Sequence, residues 1–178
     1  MPYLIFCTGE EKEAIELNFP SETTIGRTAD NDITILEDSS ISRKHLLIKI
    51  DENGNGMFFG RVSTEKNGGF SAVRYQMKTK DINGFSKVSI RLKGDGKNYQ
   101  FRIKDDINSY YSYITTFETT GEWETVTLNL KDLYPSFRGQ TLNLPNFKGD
   151  SLEEIVFLIG NKKDESFELK LDKIELVK

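Results

Sequence analysis

Alternation of apolar and polar residues in short runs is the feature that most constrains the fold of this chain. In "KVSIRLKG" every second residue is apolar (Val88, Ile90 and Leu92), and "KNYQFRIK" follows the same rule. Successive side chains of a strand point to opposite faces, so this period gives each strand one apolar and one polar face. About a dozen such runs, separated by turn-forming residues, predict an all-β fold, a β-sandwich or jelly roll.

Local signals refine this interpretation. The segment Gly94–Gly96 favours a hairpin that pairs the two runs quoted above. Pro135 cannot donate to a β-ladder, which predicts a loop around it. "SLEE" (Ser151–Glu154) is typical of a capped helical turn, and a change of phase near Asp172 predicts a β-bulge.

Composition limits the compartment and the partners. The 178-residue chain has a formal net charge of −4, and this mildly acidic balance argues against non-specific nucleic-acid binding. Cys7 is the single cysteine, which excludes an intramolecular disulfide and favours a reducing compartment. No apolar run is long enough to span a membrane, and the start lacks the basic region of a leader. We therefore expect a cytoplasmic protein with no membrane partner.

Catalytic and metal-binding patterns are missing from the sequence. It contains no Gly-x-Ser-x-Gly elbow and no phosphate-binding Gly-Lys-Ser loop, and His45 is its single histidine. Asp105 with Asp106, or Asp150 with Glu153, offer oxygens to calcium, but their spacing matches no defined loop. We expect a protein that is not an enzyme and that holds no metal or cofactor.

The polar faces of the strands supply the candidate ligand groove. Four of its residues are polar or aromatic side chains within alternating runs, and the fifth, Trp123, lies at a strand end. The five residues are Arg74, Arg91, Tyr99, Arg102 and Trp123. Such a face lines a concave groove or is plain solvent-facing surface, and both alternatives stay open. Trp123 is expected to pack at a strand end as a core residue, and a sugar-stacking platform is the alternative.

The front of the chain resembles the forkhead-associated domain, a β-sandwich that binds phosphothreonine peptides. The resemblance lies in "IGRTADNDITILEDSSISRKHLLI", with Gly-Arg, a short strand and Ser-Arg-Lys-His in that order, and covers residues 1–56. It implies phosphopeptide binding through Arg27, Ser42, Arg43, Lys44 and Asn67. The usual Ser-x-Asn-Gly-Thr loop is altered in "VSTEKNGGF", where Gly69 replaces the Thr.

The rest of the chain resembles the complex I intermediate-associated protein family. The matching blocks are "FFGRVSTEKNGGFSAVR", "VSIRLKGDGKNYQFRIK", "FETTGEWETVTLNLKDLYPSFRG" and "FELKLDKIELV", within residues 57–178. This resemblance implies a galactose-binding-like jelly roll without catalytic chemistry, which binds protein or carbohydrate or assists assembly. The opening segment usual in that family is absent here.

The two resemblances suggest a hybrid chain. Short strands in residues 1–56 bury too little surface to fold alone, so we expect one merged domain over residues 1–178. The leading hypothesis for function is a non-catalytic binding module with a protein or carbohydrate ligand. The alternatives are a phosphothreonine-peptide reader and an engineered or hybrid fold with no evolved ligand.

Overall fold

The computed structural model describes residues 22–26, 33–34, 46–65 and 68–178, and these form β-structure almost throughout. They divide between two compact units, Met1–Phe58 and Phe59–Lys178. The described residues contain no α-helix; Leu130–Asp132 form a 3-10 turn, and Glu65 also has 3-10 conformation. The predicted all-β sandwich is confirmed.

The first unit contains three short strands and the start of a fourth: β1 (Glu22–Gly26), β2 (Ile33–Thr34), β3 (Leu46–Ile50) and β4 (Gly56–Val62). They lie in the order β2-β1-β3-β4, with β1 parallel to β2 and antiparallel to β3. The Asp51 carboxylate closes the β3–β4 turn by accepting hydrogen bonds from the backbone N–H groups of Asn53 and Asn55. The boundary between the units falls within β4, and the merged domain over residues 1–178 stays a prediction.

The second unit contains the end of β4 and nine further strands. These are β5 (Ser71–Asp81), β6 (Lys87–Lys93), β7 (Asn98–Lys104), β8 (Ser112–Glu118), β9 (Trp123–Asn129), β10 (Tyr134–Phe137), β11 (Gln140–Thr141), β12 (Ser151–Ile159) and β13 (Glu165–Val177). Sheet A has the order β4-β13-β6-β9, and sheet B has the order β11-β10-β8-β7-β12-β5.

The core of the second unit takes alternate residues from both sheets. Sheet A buries Ile90, Leu92 and Leu169, and sheet B buries Phe101 and Phe157. The rings of Phe101 and Phe157 meet edge to face with centroids 5.6 Å apart. Each such side chain stabilises the fold by about 1.5–3 kcal/mol relative to an exposed one. The alternation that predicted the strands thus also assigned their buried faces.

Three local predictions are wrong. Gly94–Gly96 does not close a hairpin, because β6 lies in sheet A and β7 in sheet B, so this segment crosses between the sheets. Pro135 lies within β10, where β11 pairs only from Ser136 onward. The Pro135 carbonyl accepts a hydrogen bond from the Leu142 N–H on the β11 side of the strand. The N–H and C=O of one strand residue point to the same side, so the N–H that proline lacks would also face β11, where few ladder hydrogen bonds are lost.

Ser151–Glu154 is the start of β12 and not a helical turn, because pairing with β5 and β7 overrides the local capping pattern. The bulge near Asp172 is confirmed, since the register of β13 against β6 shifts between Leu171 and Lys173. Asp172 is the extra residue of that bulge.

Candidate functional site

The outward face of sheet B brings two of the predicted groove residues together. In β7 the buried Phe101 and Ile103 alternate with Arg102, which therefore points away from the core. Val156 of the neighbouring strand is paired with Arg102 on one side and with Arg74 of β5 on the other. Paired residues project from the same side of a sheet. We call Arg74, Gln76, Gln100, Arg102, Glu154 and Val156 the sheet B face.

Arg102 is half-buried on this face and has a neutral partner. Its Nε and Nη2 atoms donate to Gln100 Oε1 at 3.0 and 2.6 Å. Burial, and then the nearby charge of Arg74, lower the pKa of the Arg102 guanidinium below its ordinary value. An arginine stays protonated despite such a shift. The face thus carries two neighbouring positive charges.

Glu154 is the buried carboxylate of the sheet B face, with 1% of the residue exposed. Its Oε2 accepts a hydrogen bond from Gln76 Nε2 at 3.1 Å. Its Oε1 has no hydrogen-bond partner among the described residues, and Arg74 Nη1 lies 3.7 Å away, in ion-pair range but too far for a hydrogen bond. A buried oxygen without a hydrogen bond costs free energy, which marks this atom as a place for a donor.

An apolar floor lies below these polar groups. Val156, Ile114 and Leu158 are buried although they share the outward side of sheet B with the arginines. Long arginine stems cover apolar surface and keep their charged ends in water. The Arg74 side chain is 58% exposed, so its position above Glu154 is open to solvent.

The other three predicted groove residues lie elsewhere. Tyr99 is fully buried in the core, and its hydroxyl donates to Asp95 Oδ1 and to the Glu168 carbonyl. Arg91 and Trp123 belong to β6 and β9 of sheet A. The structure therefore separates the five residues into the sheet B face, the core and sheet A.

Trp123 is not a core residue, which corrects the prediction. It is 36% exposed at the start of β9, the last strand of sheet A, where few neighbours cover it. The Arg91 guanidinium lies 5.5 Å above its ring centroid. Arg91 Nε also pairs with Asp172 Oδ2 at 3.0 Å, so this arginine already has an anionic partner.

A cavity of about 380 Å³ opens beside the β6–β7 connection. It is lined by Gly96, Lys97, Asn98, Asn161 and Lys163. Lys97 pairs with Asp95, and Lys163 Nζ lies 3.5 Å from Oε2 of Glu165, which is deeply buried. Each lysine has its own carboxylate, so the cavity offers no excess charge to select a ligand. Both Glu165 carboxylate oxygens nevertheless lack a hydrogen-bond partner among the described residues.

Aromatic rings anchor the connection between β7 and β8. The Tyr110 ring lies 5.2 Å from Tyr111 and 5.3 Å from Phe137, and the Tyr111 ring lies 5.4 Å from Tyr113. The series runs from the exposed Tyr110 to the buried Tyr113. Edge-to-face pairs of this kind stabilise a loop against a sheet.

Comparison with known proteins identifies the family. The family model of Complex I intermediate-associated protein 30 (CIA30) matches residues 26–171. The chain belongs to the CIA30 family. The match begins within the stretch that resembles the forkhead-associated domain, so the CIA30 resemblance seen in residues 57–178 extends toward the front of the chain.

Solved carbohydrate-binding modules share the fold of this CIA30 chain. A family 11 module from Clostridium thermocellum, in complex with a β-1,3-1,4-mixed-linked tetrasaccharide, is 18% identical with a TM-score of 0.56, covering 73% of this chain and 79% of the module. A family 30 carbohydrate-binding module is 15% identical with a TM-score of 0.52, covering 89% and 92%. A chain named PfGH50B is 16% identical with a TM-score of 0.53, covering 74% of this chain and 21% of its own length. These likenesses show a shared jelly-roll β-sandwich fold.

The candidate phosphopeptide residues lie outside the described part of the chain. They are Arg27, Ser42, Arg43, Lys44 and Asn67. Phosphopeptide binding and a hybrid origin therefore stay predictions.

The described ranges contain neither a cluster of metal ligands nor a membrane-spanning helix. There, no group of three or more His, Cys, Asp or Glu residues is placed to hold a metal ion, and Asp105, Asp106, Asp150 and Glu153 form no such group. Over the same ranges no helix has the length and apolar character needed to cross a membrane.

Sequence reasoning missed Glu154, Gln76 and Gln100. Glu154 was hidden because its segment resembled a capped turn. Once Ser151–Ile159 is treated as a strand, Glu154 falls between Leu152 and Val156, at a position where the alternation demands an apolar residue. The sequence signal that could have revealed this residue was the charged Glu154 in a row of otherwise apolar side chains.

Proposed function

We propose that this CIA30-family chain is a non-catalytic module that binds a saccharide on the sheet B face. The observation that carries the proposal is Glu154 Oε1, a buried carboxylate oxygen without a hydrogen bond in the described structure. A sugar hydroxyl is a donor that satisfies such an oxygen. The fold shared with a module bound to a tetrasaccharide supports the proposal.

The chemistry of the face favours a saccharide over a protein ligand. Gln76, Gln100 and the two arginines offer donors and acceptors side by side above a floor that includes Val156. Hydroxyl-rich ligands use such dense polar contacts, whereas protein interfaces depend on buried aromatic and aliphatic anchors. On the same outward side of the sheet, Tyr134 of β10 is paired with Ile114 and is partly exposed. Its ring is an apolar surface on which a sugar can stack.

The proposal assigns no catalytic step to the chain. Glycoside hydrolysis commonly uses two carboxyl groups that flank the scissile bond. Among the described residues, Glu154 is the carboxylate placed beside Arg74 and Arg102. We also propose a cytoplasmic location, which the single cysteine supports.

A glycan array followed by calorimetry tests the proposal. The array carries neutral and acidic oligosaccharides, including the β-1,3-1,4-mixed-linked tetrasaccharide. We expect the chain to bind at least one saccharide, and Glu154→Gln to weaken that binding about tenfold, because a neutral amide accepts a weaker hydrogen bond. Lys173→Gln is the matched control, because it also removes one charge but lies on sheet A.

Three outcomes would contradict the proposal. One is no saccharide binding at millimolar concentration by a protein whose thermal unfolding is cooperative. Another is saccharide binding that stays unchanged both in Glu154→Gln and in Gln76→Ala, a substitution of an exposed residue on the same face. The third is binding that Trp123→Ala abolishes, which would assign the ligand to sheet A.

A further inference from the structure

Beyond saccharide binding in general, and resting on that proposed function, we infer that the sheet B face selects an acidic saccharide, whose sugar units carry a carboxylate. Two arginines face outward here beside one buried carboxylate. A ligand that brings one negative charge together with hydroxyl groups completes this arrangement.

The charges on the face do not balance within the described structure. Glu154 lies in ion-pair range of Arg74, and the hydrogen bonds of Arg102 go to the neutral Gln100. Among the described residues no carboxylate forms a salt bridge with Arg102. A half-buried cation without a counter-ion is costly, and an anion bound there removes that cost.

The spacing of the groups suits a carboxylate and a hydroxyl on one ligand. Arg74 and Arg102 are both paired with Val156, so their Cα atoms lie about 10 Å apart across the sheet. One guanidinium fork can bind a carboxylate through two parallel hydrogen bonds, and the second arginine can donate to the same carboxylate. Glu154 lies two residues along the strand from Val156, about 7 Å away, where its Oε1 accepts from a neighbouring hydroxyl.

Other anions fit this arrangement less well. A phosphomonoester brings nearly two negative charges close to Glu154, and repulsion offsets its gain from the arginines. An acidic peptide supplies a carboxylate but no adjacent hydroxyl, and its donors to Glu154 Oε1 are backbone N–H groups whose spacing is fixed by the chain. A neutral sugar satisfies Glu154 and leaves Arg102 without its counter-ion.

Calorimetry with matched probes tests the selection. The probes are tetragalacturonate, a mannuronate tetramer, the carboxyl-reduced neutral form of each, and tetraglutamate, at low and at moderate salt. We expect at least one uronate tetramer to bind about tenfold or more tightly than its reduced form, with affinity falling as salt rises. Arg102→Gln should remove that preference, and Lys173→Gln should keep it.

The outcomes separate this inference from the proposed function. A neutral saccharide that binds as well as, or better than, the uronates leaves saccharide binding intact and overturns the acidic selection. Tetraglutamate that binds as tightly as the uronates also overturns it, because charge alone would then suffice. If no saccharide binds at all, the proposed function itself fails, and the inference fails with it.

Discussion

The Tyr99 hydroxyl donates a hydrogen bond to Asp95 Oδ1 over 2.9 Å, from a tyrosine that is buried in the core. Asp95 Oδ2 accepts from the Glu168 backbone N–H at 3.0 Å and from Lys97 Nζ. Tyr99 belongs to sheet B and Glu168 to sheet A. The single carboxylate of Asp95 therefore ties both sheets to the segment that crosses between them.

Tyr99→Phe should lower the free energy of unfolding by about 1.5–3 kcal/mol, because it removes a buried hydrogen bond to a charged group. Urea denaturation measures this change. Tyr110→Phe is the matched control, because Tyr110 is 64% exposed and its variant should stay within about 0.5 kcal/mol of wild type. Equal losses in both variants would contradict a structural role for the Tyr99 hydroxyl.

Asp95→Asn should destabilise the protein most at neutral pH. Burial alone would raise the pKa of the Asp95 carboxyl, but hydrogen bonds from Lys97, Glu168 and Tyr99 outweigh it, and the pKa lies below its usual value. Since the folded pKa is depressed, the stabilisation is complete above the unfolded value of about 4 and is lost as the pH falls through the folded pKa.

Urea denaturation of wild type and Asp95→Asn between neutral pH and about pH 2.5 checks this prediction. The difference in stability should shrink as the pH falls below about 4. Asp172→Asn, which alters a half-exposed ion pair with Arg91, serves as the control and should show a much smaller difference at every pH. A difference that stays constant down to the acid end would assign the effect of Asp95→Asn to shape and not to charge.

Gly94→Ala should destabilise the fold by about 1–3 kcal/mol, because there is no room for a side chain. A Cβ at Gly94 would lie 2.3 Å from the Cβ of Thr119. Thr119 cannot easily move, since its hydroxyl accepts hydrogen bonds from the N–H groups of Gly96 and Lys97, both at 3.1 Å. Gly94 lies in the β6–β7 connection and Thr119 in the β8–β9 connection. Both connections cross between the two sheets and pack against each other.

A double-mutant cycle with Thr119→Gly tests that explanation by urea denaturation. Thr119→Gly alone should also destabilise the protein, but the double variant should lose less than the sum of the two single losses, because the clash is gone. Strictly additive losses would show that the Gly94→Ala effect does not come from contact with Thr119.

Alternation in the sequence predicted strands well but did not predict their partners. Val88, Ile90 and Leu92 of β6 and Tyr99, Phe101 and Ile103 of β7 are buried as the period of two required. The same pattern fits a hairpin and a crossover equally, because alternation carries no information on the neighbouring strand. The Arg91 and Arg102 side chains were therefore grouped in one groove, although they lie on different sheets.

The part of the candidate site that sequence reasoning missed depends on tertiary pairing. Ser151–Glu154 fits a capping pattern locally, and only its position between β5 and β7 makes it a strand. That position buries Glu154. Arg74 and Arg102 were recognisable from alternation alone, but their common neighbour Val156 became visible only through the register.

Trp123→Ala should leave saccharide binding unchanged and lower stability only slightly, by about 0.5–1 kcal/mol for the lost contact with Arg91. Trp123 is partly exposed, and its ring is already covered by the Arg91 guanidinium, which pairs with Asp172. Calorimetry with the saccharide found on the array, together with thermal unfolding, measures both effects. A large loss of affinity would move the ligand site from the sheet B face to sheet A.

Proteolysis at the β3–β4 turn tests the merged domain predicted for residues 1–178. Glu52 is exposed in this turn, and a glutamate-specific protease cuts after it. The turn is held by Asp51 Oδ1, which accepts from Asn53 N and Asn55 N at 3.0 Å and from Asn55 Nδ2 at 2.9 Å. If the front strands complete a shared interior, the two fragments should stay associated after cleavage, and separating them should require global unfolding. Asp51→Ala should accelerate cleavage by loosening the turn. A fragment 53–178 that stays cooperatively folded after it has been separated from the front strands would show that the two units fold independently, because a rear unit that needed the front strands could not survive their removal.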